Sequence, residues 1–286
     1  MERSQGAAPA AAPAPVVGIV AGGGQFPLLC ARAVREAGGR VVAACHRGET
    51  DPRLESEAHV SRWFHLGQLG RLLGFFRKEG VEEVIFAGTI AKRRIFFDVR
   101  PDLRALALWR RLGSRLDDNL LKAVASELEG EGFQVVSATR YLHDLVTPRG
   151  VLSRRAPSRE EWEDIRFGWR IAKEIGRLDI GQCVVVKERT VLAVEAMEGT
   201  DATIRRGGEL ARGGAVVVKV CKPHQDLRFD LPSLGVATIE TMAQAGAAVL
   251  AVEAGRSLFF DRGEALELAR RRGVAVVGLT PEEVEG

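Results

Sequence analysis

The sequence predicts an α/β protein of two domains, and three observations underlie that expectation. Short apolar segments alternate with amphipathic stretches of helical period in the first half, the pattern of a parallel sheet flanked by helices. Near residue 140 the rhythm breaks, and a connection carrying Pro148, Gly150 and Pro157 leads into a long amphipathic helix and two adjacent strands. The 286 residues, 46% of them hydrophobic, are enough chain to bury two cores. The expected organisation is a disordered extension over 1–15, an N-terminal domain over 16–140 and a C-terminal domain over 141–286.

Taken in order, Val16–Ala21 reads as a strand that runs into Gly22-Gly23-Gly24, with Pro27 at a helix start. Leu28, Leu29, Ala33 and Val34 share one helical face, and Gly38-Gly39 ends it. Val41–Cys45 is a second strand, Leu66–Glu79 a helix, Val81–Ala87 a strand and Asp102–Leu112 a helix. Asp117 suits the cap of a further helix with Leu120, Leu121, Val124 and Leu128 as its buried stripe, and Phe133–Ala138 is strand-like.

In the second half, Ser158 to Leu178 reads as a helix with Glu160, Glu161 and Glu163 in its first turns. Gln182–Lys187 and Thr190–Glu195 read as a hairpin. A helix over Asp201–Arg212, a strand over Ala215–Val220, a helix over Gly235–Ala245 and a strand over Ala248–Val252 follow. One more helix and strand lie between Phe259 and Val277.

Bulk composition removes several function classes. Lys and Arg total 41 against 38 Asp and Glu, a net charge of +3, so no concentrated basic excess argues for nucleic acid. Cys30, Cys45, Cys183 and Cys221 form no C-x-x-C pair and are expected as buried free thiols of a cytoplasmic protein. No apolar run approaches the ~18 residues that span a bilayer. Met1 to Pro15 is rich in Ala and Pro but has no apolar core, which suits an extension better than an export signal. The histidines lack H-x-x-x-H and H-E-x-x-H spacing, and no G-x-S-x-G nucleophile turn occurs.

Candidate binding groups begin at Gly22, Gly23, Gly24 and Gln25. A strand, then glycines, then a helix start lets backbone N–H groups approach a phosphate; a tight turn needing positive φ explains the same glycines. The pattern is not G-x-G-x-x-G and the second strand leads into Cys45-His46-Arg47 without an acid for a ribose, which argues against NAD while Arg47 leaves NADP open. Gly88-Thr89 ends a strand, where ligands gather in open α/β sheets, and Lys92, Arg93 and Arg94 follow it. Asp117-Asp118-Asn119 offers oxygen ligands to a metal or, more simply, an N-cap.

The densest chemistry lies in three stretches, DIGQ from Asp179, VLAVEAMEGTD from Val191 and KVCKPHQDLRFDLP from Lys219. Glu195, Glu198, Asp201, Asp226 and Asp230 fall at strand ends or loops, interleaved with Lys219, Lys222, Arg206 and Arg228. Diphosphate hydrolysis needs such a mixture: carboxylates for Mg²⁺ and for orienting water, cations for the charge on phosphorus. Ordinary capping by Thr200 or Asp201 and surface ion pairs account for any one of these residues taken singly. His224 sits in the same charged loop, where a solvent-facing role is the simpler reading.

On GIVAGGGQFP, VIFAGTI, DDNLLKAVASELEGEGF, DIGQCVVV, VLAVEAMEGTDATIRR and KPHQDLRFDLPSLG, the chain resembles the LpxI-type UDP-2,3-diacylglucosamine pyrophosphatase family from about Val16 to Val277. The resemblance implies a Rossmann-like parallel sheet in the first domain, a mixed α/β second domain and an active site between them. It also implies Mg²⁺-dependent attack of water on the phosphorus nearer the glucosamine, giving UMP and 2,3-diacylglucosamine 1-phosphate on the way to lipid A. By motif position Asp226 is the essential acid, with Asp226 and Glu198 as metal ligands. Gly22, Gly23, Gly24, Gln25, Thr89, Gln182, Thr200, Asp201, Arg206, Lys222 and Gln225 are expected to meet the lipid-linked nucleotide sugar. A cytoplasmic location, peripheral contact with the inner membrane and a homodimer are compatible with that family type. His224 and Lys92-Arg93-Arg94 depart from the family pattern, which touches substrate detail rather than reaction type.

Two acyl chains need apolar walls or a membrane-dipping surface. Phe75, Phe76, Phe96, Phe97 and Leu103 to Trp109 are apolar enough, and ordinary core packing explains them equally. The alternatives are a nucleotide-binding regulatory protein without turnover and an NADP-dependent oxidoreductase.

Overall fold

The computed structural model describes residues 14–90, 99–111, 117–229 and 231–285, the side chains of 117–119 and 285 excepted. Lys92, Arg93, Arg94, Phe96, Phe97 and Asp230, and all but the last two residues of the expected extension, lie outside the described residues, as do the side chains of Asp117, Asp118 and Asn119. The chain forms two compact units, Met1–Leu142 and His143–Gly286.

The first unit is built on β1 (Val16–Ala21), α1 (Phe26–Glu36), β2 (Arg40–His46), α2 (Leu54–Glu57), β3 (Val60–Phe64), α3 (Leu69–Lys78), β4 (Glu83–Ala87), α4 (Leu103–Arg111), α5 (Asp117–Gly130) and β5 (Gln134–Val135). The five strands form one parallel sheet in the order β3-β2-β1-β4-β5. Strand order therefore reverses between β1 and β4, and a crevice forms at the carboxyl ends of such a pair. Val17, Ile19, Val41, Val42, Ile85 and Phe76 are buried, as continuous apolar strands of a covered parallel sheet require.

One local expectation for this unit needs correction, and one strand was not anticipated. Phe133–Ala138 holds only the two-residue β5 and then a 3₁₀ turn over Ala138–Arg140 whose Ser137 side chain accepts from the Thr139 N–H. The hydroxyl competes for backbone that would otherwise extend the ladder. The edge strand Val60–Phe64 is paired on one side only, and Ser61 and Arg62 interrupt its apolar residues, so it carries no apolar run by which to anticipate it.

The second unit comprises β6 (Gly150–Val151), α6 (Arg159–Arg177), β7 (Cys183–Lys187), β8 (Thr190–Val194), α7 (Thr200–Ala211), β9 (Ala215–Lys219), β10 (Ser233–Leu234), α8 (Val236–Gln244), β11 (Ala247–Glu253), β12 (Leu258–Phe259), α9 (Arg262–Arg272), β13 (Ala275–Leu279) and α10 (Pro281–Glu285). Its main sheet is mixed, in the order β6-β13-β11-β9-β7-β8, with β9, β11 and β13 parallel and β6 and β7 reversed. Strands β10 and β12 pair separately.

Helix α6 begins with a capping box between Ser158 and Glu161, which satisfies two backbone donors reciprocally. It buries Ile165, Trp169 and Ala172 against Val184, Val186, Val216 and Val218 on one face of the sheet. Its Asp164 carboxylate accepts the N–H groups of Glu188 (3.0 Å) and Arg189 (2.6 Å), both at positive φ, and so holds the β7–β8 turn. Ile204, Ile239 and Met242 pack the other face. Among the described residues no helix is long and apolar enough to cross a membrane.

Candidate active site

Strands β8, β9, β11 and β13 run in one direction, so their carboxyl ends share an edge of the second sheet, and β7 starts there. That edge collects Glu195 just after β8, Lys219 at the end of β9, Glu253 at the end of β11 and Gln182 just before β7. Most acids and cations of the three dense stretches fall here because strands this apolar leave polar residues only at their ends.

Glu195 is buried and fully engaged. Its Oε1 accepts the Thr200 hydroxyl at 2.8 Å and its Oε2 the Gln182 backbone N–H at 3.2 Å. It thereby joins DIGQ to the start of α7. The Gln182 carbonyl accepts from the Val220 N–H at 2.9 Å, while its side-chain Oε1 is buried with no partner among the described residues. A buried carbonyl oxygen costs free energy until a donor reaches it. Asp201 is exposed on the first turn of α7.

Glu198 and Arg206 meet each other. The guanidinium donates to Glu198 Oε1 at 2.6 Å and to the Val194 carbonyl at 2.9 Å, while Glu198 Oε2 accepts the Ala196 N–H. Its own backbone N–H and then Arg206 hold the Glu198 carboxyl below the usual carboxylate range. The two residues, expected as separate ligands of metal and substrate, are in the structure one ion pair.

The loop after β9 carries the remaining candidates. Gln225 Oε1 accepts from the Lys222 N–H at 2.9 Å and the Cys221 thiol at 3.2 Å, so this side chain closes its own turn. Lys222 Nζ reaches Asp179 at 2.6 Å and ties KPHQD to DIGQ. Asp226 is partly buried, its carboxylate bound by Arg228 through Nε at 3.0 Å, Nη2 at 2.8 Å and the backbone N–H at 3.1 Å. His224 is exposed.

In the first unit the glycine turn lies where strand order reverses. Gly22 N–H donates to the Ala87 carbonyl and Gly23 N–H to the Thr89 carbonyl, both at 2.7 Å, and Thr89 N–H returns a bond to Gly23 at 3.2 Å. A Cβ on Gly22 would stand 2.5 Å from the Thr89 oxygen, so close strand approach is the physical reason for this glycine. The two amides expected to face a phosphate are thus donated across to β4 and its following loop, which leaves Gly24 and Gln25 at the entry to α1. Phe75, Phe76 and Leu108 are core residues, whereas Leu103 and Leu106 are exposed.

Sequence reasoning passed over Glu253 and Lys173. Glu253 has no solvent exposure, and Lys173 Nζ lies 2.6 Å from it. An acid closing the otherwise apolar strand AAVLAVE was the available signal.

Asp226 and Glu198 offer hard oxygen ligands. Among the described residues no group of three or more His, Cys, Asp or Glu could hold a metal ion. Mg²⁺ commonly binds through one or two carboxylates completed by water and substrate phosphates, and this donor chemistry fits that mode rather than an all-protein cage.

Fold and site together define an α/β protein of two units with a charged polar site at the carboxyl edge of its second sheet. Two family models match the chain, the LpxI N-terminal domain over residues 16–145 and the LpxI C-terminal domain over 148–277. A relative from Caulobacter vibrioides, UDP-2,3-diacylglucosamine pyrophosphatase LpxI, is 40% identical over 279 residues, which cover 93% of this chain and 98% of the relative. The chain belongs to the LpxI family. Two solved structures show remote similarity. The biotin carboxylase domain of a thermophilic 2-oxoglutarate carboxylase matches at a TM-score of 0.26 and 17% identity, covering 59% of this chain and 34% of that one. The biotin carboxylase subunit of pyruvate carboxylase gives 0.26 and 14%, covering 63% and 35%. Scores that low carry no argument about this chain.

Proposed function

We propose that this protein hydrolyses the diphosphate of UDP-2,3-diacylglucosamine to UMP and 2,3-diacylglucosamine 1-phosphate, in a Mg²⁺-dependent step of lipid A synthesis. The carrying observation is the family membership together with the convergence of Gln182, Glu195, Thr200 and Lys222 at one sheet edge. Asp226 is the essential acid in this reading. Holding Mg²⁺ and taking a proton from the attacking water both need its carboxylate ionised. Asp226 and Glu198 would hold the ion, which supplies positive charge against the phosphate oxygens.

The chain's own groups do the rest. Lys222 and Arg206 bring positive charge towards the diphosphate, and Gln182 Oε1 offers an acceptor to a substrate N–H or O–H. Thr200 and Asp201 bring the N-terminal turn of α7 to a phosphate, and Gln225 holds the loop shape behind Asp226. Gly22, Gly23, Gly24, Gln25 and Thr89 contribute the nucleotide-facing edge of the first unit, whose strand order supports a Rossmann-like reading. Exposed Leu178, Ile180 and Met197 beside the site residues suit acyl chains. A cytoplasmic location with peripheral inner-membrane contact, and a homodimer, belong to the same reading.

The test is incubation of purified protein with UDP-2,3-diacylglucosamine and Mg²⁺ in ¹⁸O-water. UMP should appear, EDTA should stop it, and the label should enter the lipid phosphate. Label in UMP would overturn the site of attack, and turnover unchanged by EDTA would overturn the metal.

A further inference from the structure

We infer that Lys173 and Glu253 are positioning residues for the Asp226 loop, gripping Cys221 by its carbonyl and its N–H at the point where β9 ends. The inference rests on the proposed hydrolysis. The last sheet bond on this path is Val220 N–H to the Gln182 carbonyl; beyond it the chain leaves the ladder. At the next residue, Glu253 Oε2 accepts the Cys221 N–H at 2.8 Å, while Lys173 Nζ donates to the Cys221 carbonyl at 3.1 Å. The two side chains bind each other at 2.6 Å, closing a ring of three contacts around one residue. Trp169 presents its ring 5.4 Å from the same ammonium, and Arg256 approaches the other Glu253 oxygen at 3.5 Å.

The pair is poorly explained as a stabiliser. Burying two charges costs desolvation that their attraction offsets only with good geometry, and apolar replacements are often as stable. Its geometry instead fixes direction. Backbone donor and acceptor of one residue are held by side chains from two different elements, α6 and β11, so the plane in which the loop departs is set. From Cys221 the hold passes through Gln225, which bonds the Cys221 thiol and the Lys222 N–H, to Asp226. One turn further along α6, Gly176 packs on the same loop: a Cβ there would lie 3.3 Å from Lys222 Cα and from Pro223 Cδ. A misplacement of about 1 Å at a reacting group can cost about 100-fold in rate.

The test uses the full chain with its lipid substrate. Lys173→Met combined with Glu253→Gln leaves no buried charge unpaired. Its kcat should fall at least tenfold with a smaller change in KM, because Gln182, Thr200, Asp201 and Arg206 lie outside the loop that carries the misdirected acid. Lys173→Arg in the wild-type background, which keeps the donor, should retain most of the rate. Hydrogen exchange of a peptide spanning residues 220–227 should quicken in the double variant, with peptides of the helices that flank the sheet unchanged. Should the double variant fail to fold, Gly176→Ala, which presses on Lys222 and Pro223, should show the same split between kcat and KM. A folded variant of either kind with wild-type kcat would overturn the inference, as would a rate loss in Gly176→Ala matched by its own loss of folded protein. If wild-type protein shows no turnover, the proposed function fails, and the exchange measurement alone then decides whether the clamp holds the loop.

Discussion

The guanidinium of Arg228 closes on the carboxylate of Asp226 from two residues away, with Nε at 3.0 Å and Nη2 at 2.8 Å. Asp226 is thereby held in one orientation and its charge is balanced by the guanidinium. Replacement by Ala or by Asn should abolish turnover by about three orders of magnitude or more, and by similar factors, because ionisation rather than space is what the step requires. Steady-state rates beside circular dichroism check this; an Asn variant retaining a tenth of the rate would remove Asp226 from the chemistry.

Glu195 holds two motifs together, so Glu195→Ala should strand the Thr200 hydroxyl and the Gln182 N–H. A loss of about 1–3 kcal/mol in all is expected, because both stranded groups are only partly buried. Thr200→Val removes one partner of Glu195 and should cost less. Urea unfolding of the two variants gives the comparison, and equal midpoints for wild type and Glu195→Ala would contradict it.

His46 is buried below the glycine turn, where its Nδ1–H donates to the Ala21 carbonyl at 2.9 Å. Burial lowers its pKa below the ordinary 6.5, against smaller opposing effects of the Ala21 carbonyl and Glu49. As pH falls, the unfolded chain takes up the proton first. The folded state therefore keeps its full margin above 6.5 and loses part of it as pH drops from there through the lower folded value. Melting temperatures across that window should fall in wild type and fall less in His46→Gln. Parallel curves would assign the slope to other groups.

All four cysteines are buried and none is in a disulfide. Burial pushes the Cys45 and Cys183 thiols up to about 12 and Cys30 further still. Thiolate is the reactive form, so folded protein should be inert to a disulfide-exchange reagent at neutral pH. Full reaction should follow denaturation. A thiol that reacts within seconds in the folded protein would contradict the burial.

Gly22→Ala places a methyl 2.5 Å from the Thr89 carbonyl oxygen and should destabilise the first unit by about 1–3 kcal/mol through overpacking. Thermal unfolding of the variant checks it; an unchanged transition would mean that β1 and the Thr89 segment are free to separate.

Local pattern sufficed for the apolar strands and most helices, because apolar runs, helical periodicity and glycine stops are relations between near neighbours in sequence. The same holds for the buried thiols and for the family, whose motifs are contiguous runs. Strand order, by contrast, depends on pairings between segments tens of residues apart. The donation of the Gly22 and Gly23 amides to the β4 end, and the capture of Glu198 by Arg206, became visible only with those segments in place. Lys173 and Glu253 are 80 residues apart and meet because α6 lies across the sheet where β11 ends. Sequence alone determined which residues are polar at the ends of apolar strands; tertiary packing decided which of them neutralise one another, because Coulomb attraction and hydrogen bonding act over ångströms of space, not positions along a chain.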